Sequence, residues 1–191
     1  QLERKLEKLI PRHDLVILSD YGHGFINKKL ANKILKSSSF TALNTQINSS
    51  NIGHHSIEKY KKIECVIINV DELRHELRDK DSDIKDLMKN LCKKRHIINL
   101  IVTKGKKGAV LYNSKKNNFF TCPAFANTVV DKVGSGDAML ALTSLSIQKK
   151  YNPLISLYIG SLAASQSVET MGNKENVSKK SMLKIIKHLS S

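Results

Sequence analysis

At 191 residues and 40% hydrophobic content, the chain has enough apolar material for one domain with a real core, and too much to remain disordered. Its net charge of +15 would suit a nucleic acid or an anionic membrane, but the lysines are scattered and aromatic residues make up only 5%, so platforms for base stacking are scarce. The charge therefore reads as a solvated lysine-rich surface, compatible with an anionic small substrate and arguing against nucleic acid as a partner. No apolar run reaches transmembrane length and no signal peptide is visible, which gives no reason to expect a membrane partner. Cys65, Cys92 and Cys122 are too widely spaced for a zinc knuckle or redox pair, and reduced buried thiols suit the cytoplasm. The pair His54-His55 belongs to no HExxH pattern and gives no metal site. Because the first residue is Gln1 rather than Met, the chain reads as a fragment, a processed product or a trimmed version of a longer one.

Short apolar strands alternate with amphipathic helices. A helix-like start carries Leu2, Leu6, Leu9 and Ile10. "DLVILSD" (Asp14 to Asp20) predicts a buried strand and is followed by the turn "YGHG". A helix starts after Asn27, with Ile26, Leu30 and Ile34 on one face. Strands are expected at Thr41 to Gln46 and at Glu64 to Val70, the latter running straight into "DELRHELR". Ile84, Leu87, Met88 and Leu91 recur at helical spacing, with Ser82 as the expected cap. "INLIVTKG" and "GAVLYN" read as a hairpin, and "NFFTCP" as a further short strand. "DAMLALTSLSIQ" is apolar nearly all round and is expected to be buried. A helix begins at Pro153, and a last one near Ser178 presents Met182, Ile185, Ile186 and Leu189. This alternation predicts an α/β fold with a mostly parallel sheet covered on both faces. In such folds ligands sit beyond the carboxyl ends of the strands.

Three motifs fall at such ends. In "DKVGSGDAML", glycines permit a turn that gathers N–H groups, and a helix start leaves such donors unpaired. Gly134, Ser135 and Gly136 could form an anion hole, with Asp137 beside it as a proton acceptor. The loop lacks the Lys-Ser/Thr ending of a Walker A motif, and Met139 stands where GxGxxG has its third glycine. Alone, it reads equally as a glycine turn in which Asp137 caps the next helix. "NVDE" sets Asn69 and Glu72 three apart, suited to ordering water around Mg²⁺ near phosphates, or simply a carboxylate at a helix start. "TKGKKG" supplies Thr103, Gly105 and Gly108, which could contact nucleotide phosphates or form a plain hairpin turn.

The order of "NVDELR", "VTKGKKGAVLY" and "DKVGSGDAMLAL" resembles the ribokinase-like (PfkB) carbohydrate kinases. Of their Asp-Thr-x-Gly-Ala-Gly-Asp pattern, Asp131, Gly134, Gly136 and Asp137 match; Lys132 stands in place of threonine and Ser135 in place of alanine. The resemblance implies a three-layer αβα sandwich. It implies that Asp137 is the catalytic base, that Gly134, Ser135 and Gly136 form the anion hole, and that Asp131 lies on the substrate side. It further implies that Asn69 and Glu72 organise Mg²⁺ and phosphate, Glu72 acting on the metal through water, and that Thr103, Gly105 and Gly108 belong to the ATP site. A monovalent cation is an optional further cofactor in this family. "SLAASQSVETMG" resembles the helix and loop that border the adenine.

"LSDYGHG" is similar to the "LSDYGKG" of bacterial heptose-phosphate kinases, with His23 in place of the lysine, while "NTQINSSNIG" departs from the Asp-Pro-Lys that follows their next strand. Residues 1–191 would then be a single partial kinase domain, its nucleotide-binding half, with the N-terminal part and the lid missing. The implied partners are a sugar or sugar phosphate and that missing part of the same domain, with a homo-oligomer left open. The function expected is ATP-dependent phosphoryl transfer to a sugar hydroxyl. The alternative is a non-catalytic nucleotide-binding or assembly fragment of a larger sugar kinase or nucleotidyltransferase, for which Lys132 and His23 argue.

Overall fold

The computed structural model describes residues 2–46, 56–126, 130–131, 133–169 and 177–189. His54-His55, Lys132, most of "NTQINSSNIG" and the end of "SLAASQSVETMG" lie outside the described residues, as do the side chains of Ile185, Ile186 and Leu189.

Six strands form one sheet in sequence order: β1 (Val16–Asp20), β2 (Thr41–Thr45), β3 (Ile63–Asn69), β4 (Ile97–Thr103), β5 (Ala109–Asn113) and β6 (Asn118–Cys122). β1 to β4 are parallel, and β5 and β6 close the sheet as antiparallel hairpin strands. The strand alternation assigns Leu18, Leu43, Val66, Ile68, Leu100 and Val102 to one face. There they meet α2 (Lys28–Ser37), α3 (Val70–Leu77) and α4 (Ile84–Arg95) through Leu30, Ile34, Leu73, Leu87, Met88 and Leu91. Ala42, Cys65, Ile67, Ile101 and Leu111 point the other way, against Met139 and Leu140 of α5 (Ser135–Gln148) and Leu157 of α6 (Pro153–Val168). The three-layer αβα arrangement is thus present, flanked by α1 (Leu2–Leu9) and α7 (Lys179–Leu189). α1 lies against α2, and Lys33 of α2 pairs with its Glu3 and Glu7, each at 2.8 Å. Cys65, Cys92 and Cys122 are buried and unpaired, and burial, helped by nearby Glu64, pushes the Cys65 thiol up to about 12. Among the described residues, no helix is long and apolar enough to cross a membrane.

Three local expectations need correction. Asp83, not Ser82, caps α4, its Oδ1 accepting from Lys85 N at 2.8 Å. Ser82 is already taken by the preceding turn, where its N and Oγ both donate to Asp79. α5 begins at Ser135, two residues before the expected Asp137, so Asp137 sits inside its first turn. Nor is α5 buried all round, since Leu145 is 43% exposed. It meets α6 instead through small and hydroxyl residues, with Gly160 packed directly on Thr143.

The turn from β4 to β5 depends on Gly108, which has φ +79° and is buried; a Cβ there would collide with the Cys122 carbonyl oxygen and Pro123. Gly105 has φ +56°, but open space around it. Gly108→Ala is therefore expected to cost about 3 kcal/mol, a fall of roughly 10 °C in Tm, against about 1 kcal/mol for Gly105→Ala. Thermal unfolding of the two variants checks this, and equal losses would mean that backbone conformation alone, not the contact with β6, sets the cost.

Candidate active site

The parallel register does the first step of assembly. Asn69 and Thr103, the last residues of β3 and β4, are direct register partners, so the "NVDE" and "TKGKKG" motifs lie side by side at the carboxyl edge of the sheet. Asn69 ends its strand by capping α3: its Oδ1 accepts from Glu72 N at 2.8 Å, while Glu72 Oε2 accepts from Asn69 N at 2.8 Å. The three-residue spacing read from the sequence is thus a reciprocal capping box. It buries Glu72 to 8% exposure beneath the site. Next to it, Lys104 N donates to Gly108 O at 2.8 Å and Gly105 to Lys107 form a single helical turn, which holds the Gly105 backbone outward. Gly108, by contrast, is occupied in packing against β6.

The second half of the site is the start of α5. Gly134 takes the cap position with φ +82°, a conformation that favours glycine, and among the described residues no side chain caps the helix. The loop before it is anchored where Val130 N and Asp131 N donate to Val168 O at the end of α6, at 2.8 and 3.1 Å. Asp131 Oδ1 accepts from Val133 N at 2.9 Å and turns the chain toward Gly134. A 14-residue helix with glycine at its cap and no capping side chain offers amide donors and a positive dipole end to an anion.

Asp137, half-buried in that first turn, does not cap its own helix. Its carboxylate bonds to β1: Ser19 Oγ donates to Oδ1 at 3.0 Å and the Tyr21 hydroxyl to Oδ2 at 3.1 Å. The simple capped-turn reading of this loop is therefore replaced by a carboxylate held across the sheet edge. β1, whose end Asp137 bonds, and β3, which carries Asn69, are separated in the sheet only by β2.

Ser19 and Tyr21 were not foreseen from the sequence. The only signal was the alternation along β1, which puts Ser19 on the face opposite Leu18 and Asp20, with Tyr21 next in that alternation just past the strand end. Asp20 is buried and accepts from the Tyr60 hydroxyl and from Lys59 Nζ, both at 2.6 Å, and from Gly22 N at 3.0 Å. Burial works to raise its carboxyl, but these donors together outweigh it and hold Asp20 below the ordinary carboxylate range. Burial and the Asp20 charge push the Tyr60 phenol up. His23, in the turn after β1, is exposed. Among the described residues, no group of three or more His, Cys, Asp or Glu side chains could hold a metal ion.

The description "pfkB family carbohydrate kinase" matches residues 27–180. Bifunctional protein HldE of Koribacter versatilis is 25% identical over 174 residues, covering 90% of this chain and 35% of that protein. The chain therefore spans about a third of the length of this curated relative. Phosphofructokinase-2 from Escherichia coli in complex with potassium has a TM-score of 0.77 at 18% identity, covering 99% of this chain and 62% of that one. Arabidopsis thaliana ribokinase complexed with ribose and ATP has a TM-score of 0.74 at 20% identity, covering 95% and 58%. These likenesses share the fold seen here. With the family pattern extending over more than half of the residues and the three motifs gathered at one sheet edge, the chain belongs to the pfkB family of carbohydrate kinases.

Proposed function

We propose that this chain carries the phosphate-donor half of a kinase that moves the terminal phosphoryl group of ATP to a hydroxyl of a sugar or sugar phosphate. The observation that carries the reading is the start of α5: an uncapped helix end beside a carboxylate that is not spent on capping it. Asp137 accepts the proton of the attacking hydroxyl on a carboxylate oxygen. The Gly134, Ser135 and Gly136 backbone faces the moving phosphoryl group and offsets its charge. Asp131, at the turn into that loop, lies toward the sugar. Asn69 and Glu72 would hold Mg²⁺, Glu72 through water, and Thr103 and Gly105 meet the nucleotide. Mg²⁺, when bound, neutralises charge on the donor phosphates. Most of the rate comes from positioning and electrostatics.

A monovalent cation near the α5 loop is supported by the potassium in the phosphofructokinase-2 neighbour. The resemblance of "LSDYGHG" to heptose-phosphate kinases supports a phosphorylated sugar as acceptor, and the +15 charge suits an anionic one. The rest of the sugar pocket would come from a preceding part of the same domain, and the protein would work in the cytoplasm. Calorimetry and turnover assays with Mg-ATP on the full-length protein, with and without a panel of hexose and heptose phosphates, test the reading. Heat of ATP binding and sugar-dependent release of ADP are expected. ATP binding without turnover on any sugar would favour a non-catalytic nucleotide-binding module, and no ATP binding at all would overturn both.

A further inference from the structure

We propose that the end of β1 is a positioning clamp for Asp137, with Ser19 and Tyr21 fixing its carboxylate and Asp20, between them, fixing the clamp. Its catalytic consequence rests on the kinase reading above.

The geometry uses the two-residue period of a strand. Ser19 leaves β1 on the α5 face and Tyr21 follows just past its end, and each takes one oxygen of the same carboxylate, at 3.0 and 3.1 Å. They reach Asp137 across 118 and 116 residues of sequence, so no local turn imposes the contact. Asp20 leaves on the opposite face and is anchored by Tyr60 and Lys59, both at 2.6 Å. Lys59 also donates to Ile26 O at 2.6 Å, so one side chain ties down both ends of the turn that carries Tyr21. Within that turn Gly22 and Gly24 have φ of +74° and +81°, so its path is made by backbone that needs external fixing.

The chemistry of the donors suits a base rather than a structural pair. Ser and Tyr hydroxyls are neutral and each offers one proton, so they occupy one lone pair on each oxygen and leave others for a third proton. A lysine or arginine in the same place would pair with the charge and weaken the base. Two donors, one on each oxygen, fix the rotation of the carboxylate plane, and a reacting group needs that order within about half an ångström. Ser19 and Tyr21 are therefore positioning residues, acting through Asp137.

The test uses Ser19→Ala, Tyr21→Phe and Ser19→Thr in the intact protein. Ser19→Ala and Tyr21→Phe are each expected to lower kcat about tenfold with the KM for ATP unchanged, and Ser19→Thr to restore most of the loss. A parallel double-mutant cycle of Tyr21→Phe with Asp137→Ala reads the contact through denaturant midpoints, independently of turnover. Non-additive midpoints with the kcat loss support the clamp. Additive midpoints, or kcat unchanged in both single variants, overturn it. Lack of sugar-dependent turnover in the unaltered protein strikes instead at the kinase reading, and the clamp is then decided by the cycle alone.

Discussion

Asp137→Asn leaves sugar-dependent ATP turnover 10²- to 10⁴-fold below that of the unaltered protein, the range expected when a general base is removed. The substitution keeps size and shape, and the Asn carbonyl oxygen still accepts one of the two β1 hydroxyls, so the start of α5 keeps its place. What disappears is the ability to take a proton. Because the proposed anion seat is backbone at the start of α5, ATP binding is expected to survive, and the loss to fall on kcat rather than on KM for ATP. Asn loses one hydroxyl contact and the negative charge at the helix start, so Tm is expected to fall by no more than a few degrees. Steady-state assays of ADP release, with thermal unfolding on the same samples, read both quantities. A loss of less than about tenfold would remove Asp137 as the base and leave it an electrostatic neighbour of the phosphates.

The parts of this site that could be read from the sequence are those whose physics is local. Asn69 and Glu72 stand three apart at a strand-to-helix junction, and that spacing alone fixes a capping box. Gly134 precedes an apolar run, and only a residue tolerant of positive φ serves at that corner. The alternation of apolar strands and amphipathic helices likewise gave the layers, because burial on one face or two leaves its period in the sequence. Partners across the fold left no such trace. Nothing near Asp137 announces Ser19 and Tyr21, and nothing near Asp20 announces Lys59 and Tyr60, because register and crossover decide which strand ends meet. Local competition explains the smaller miss at α4. Ser82 and Asp83 are both good caps, and the choice was made by Asp79, which captures Ser82 first.

Asp20→Ala is expected to cost about 3–5 kcal/mol, because it removes one member of a buried ion pair and strands the other. Asp20 is 4% exposed, and Lys59 and Tyr60 both rely on its Oδ2. Without it, the Lys59 ammonium is left half-covered near Ile26 O, and the turn that carries Tyr21 loses its anchor. Tm should fall by roughly 10 °C or more. Acid adds a second readout with a definite sign. Despite burial, which works the other way, hydrogen bonds from Lys59, Tyr60 and Gly22 hold the folded Asp20 carboxyl below its ordinary value. A depressed folded value means that the stabilisation is complete above the unfolded carboxyl value of about 4 and is lost as pH falls through the lower, folded one. The stability gap between the unaltered protein and Asp20→Ala should therefore be constant from neutral pH to about 5 and narrow below about 4. Asp20→Asn, which keeps an acceptor but not the charge, should fall between the two at neutral pH and converge with the unaltered protein in acid. Denaturant unfolding of the three proteins across this range measures the gap. A gap that stays constant into acid would mean that packing around Asp20, rather than its charge, holds the end of β1 against Lys59 and Tyr60.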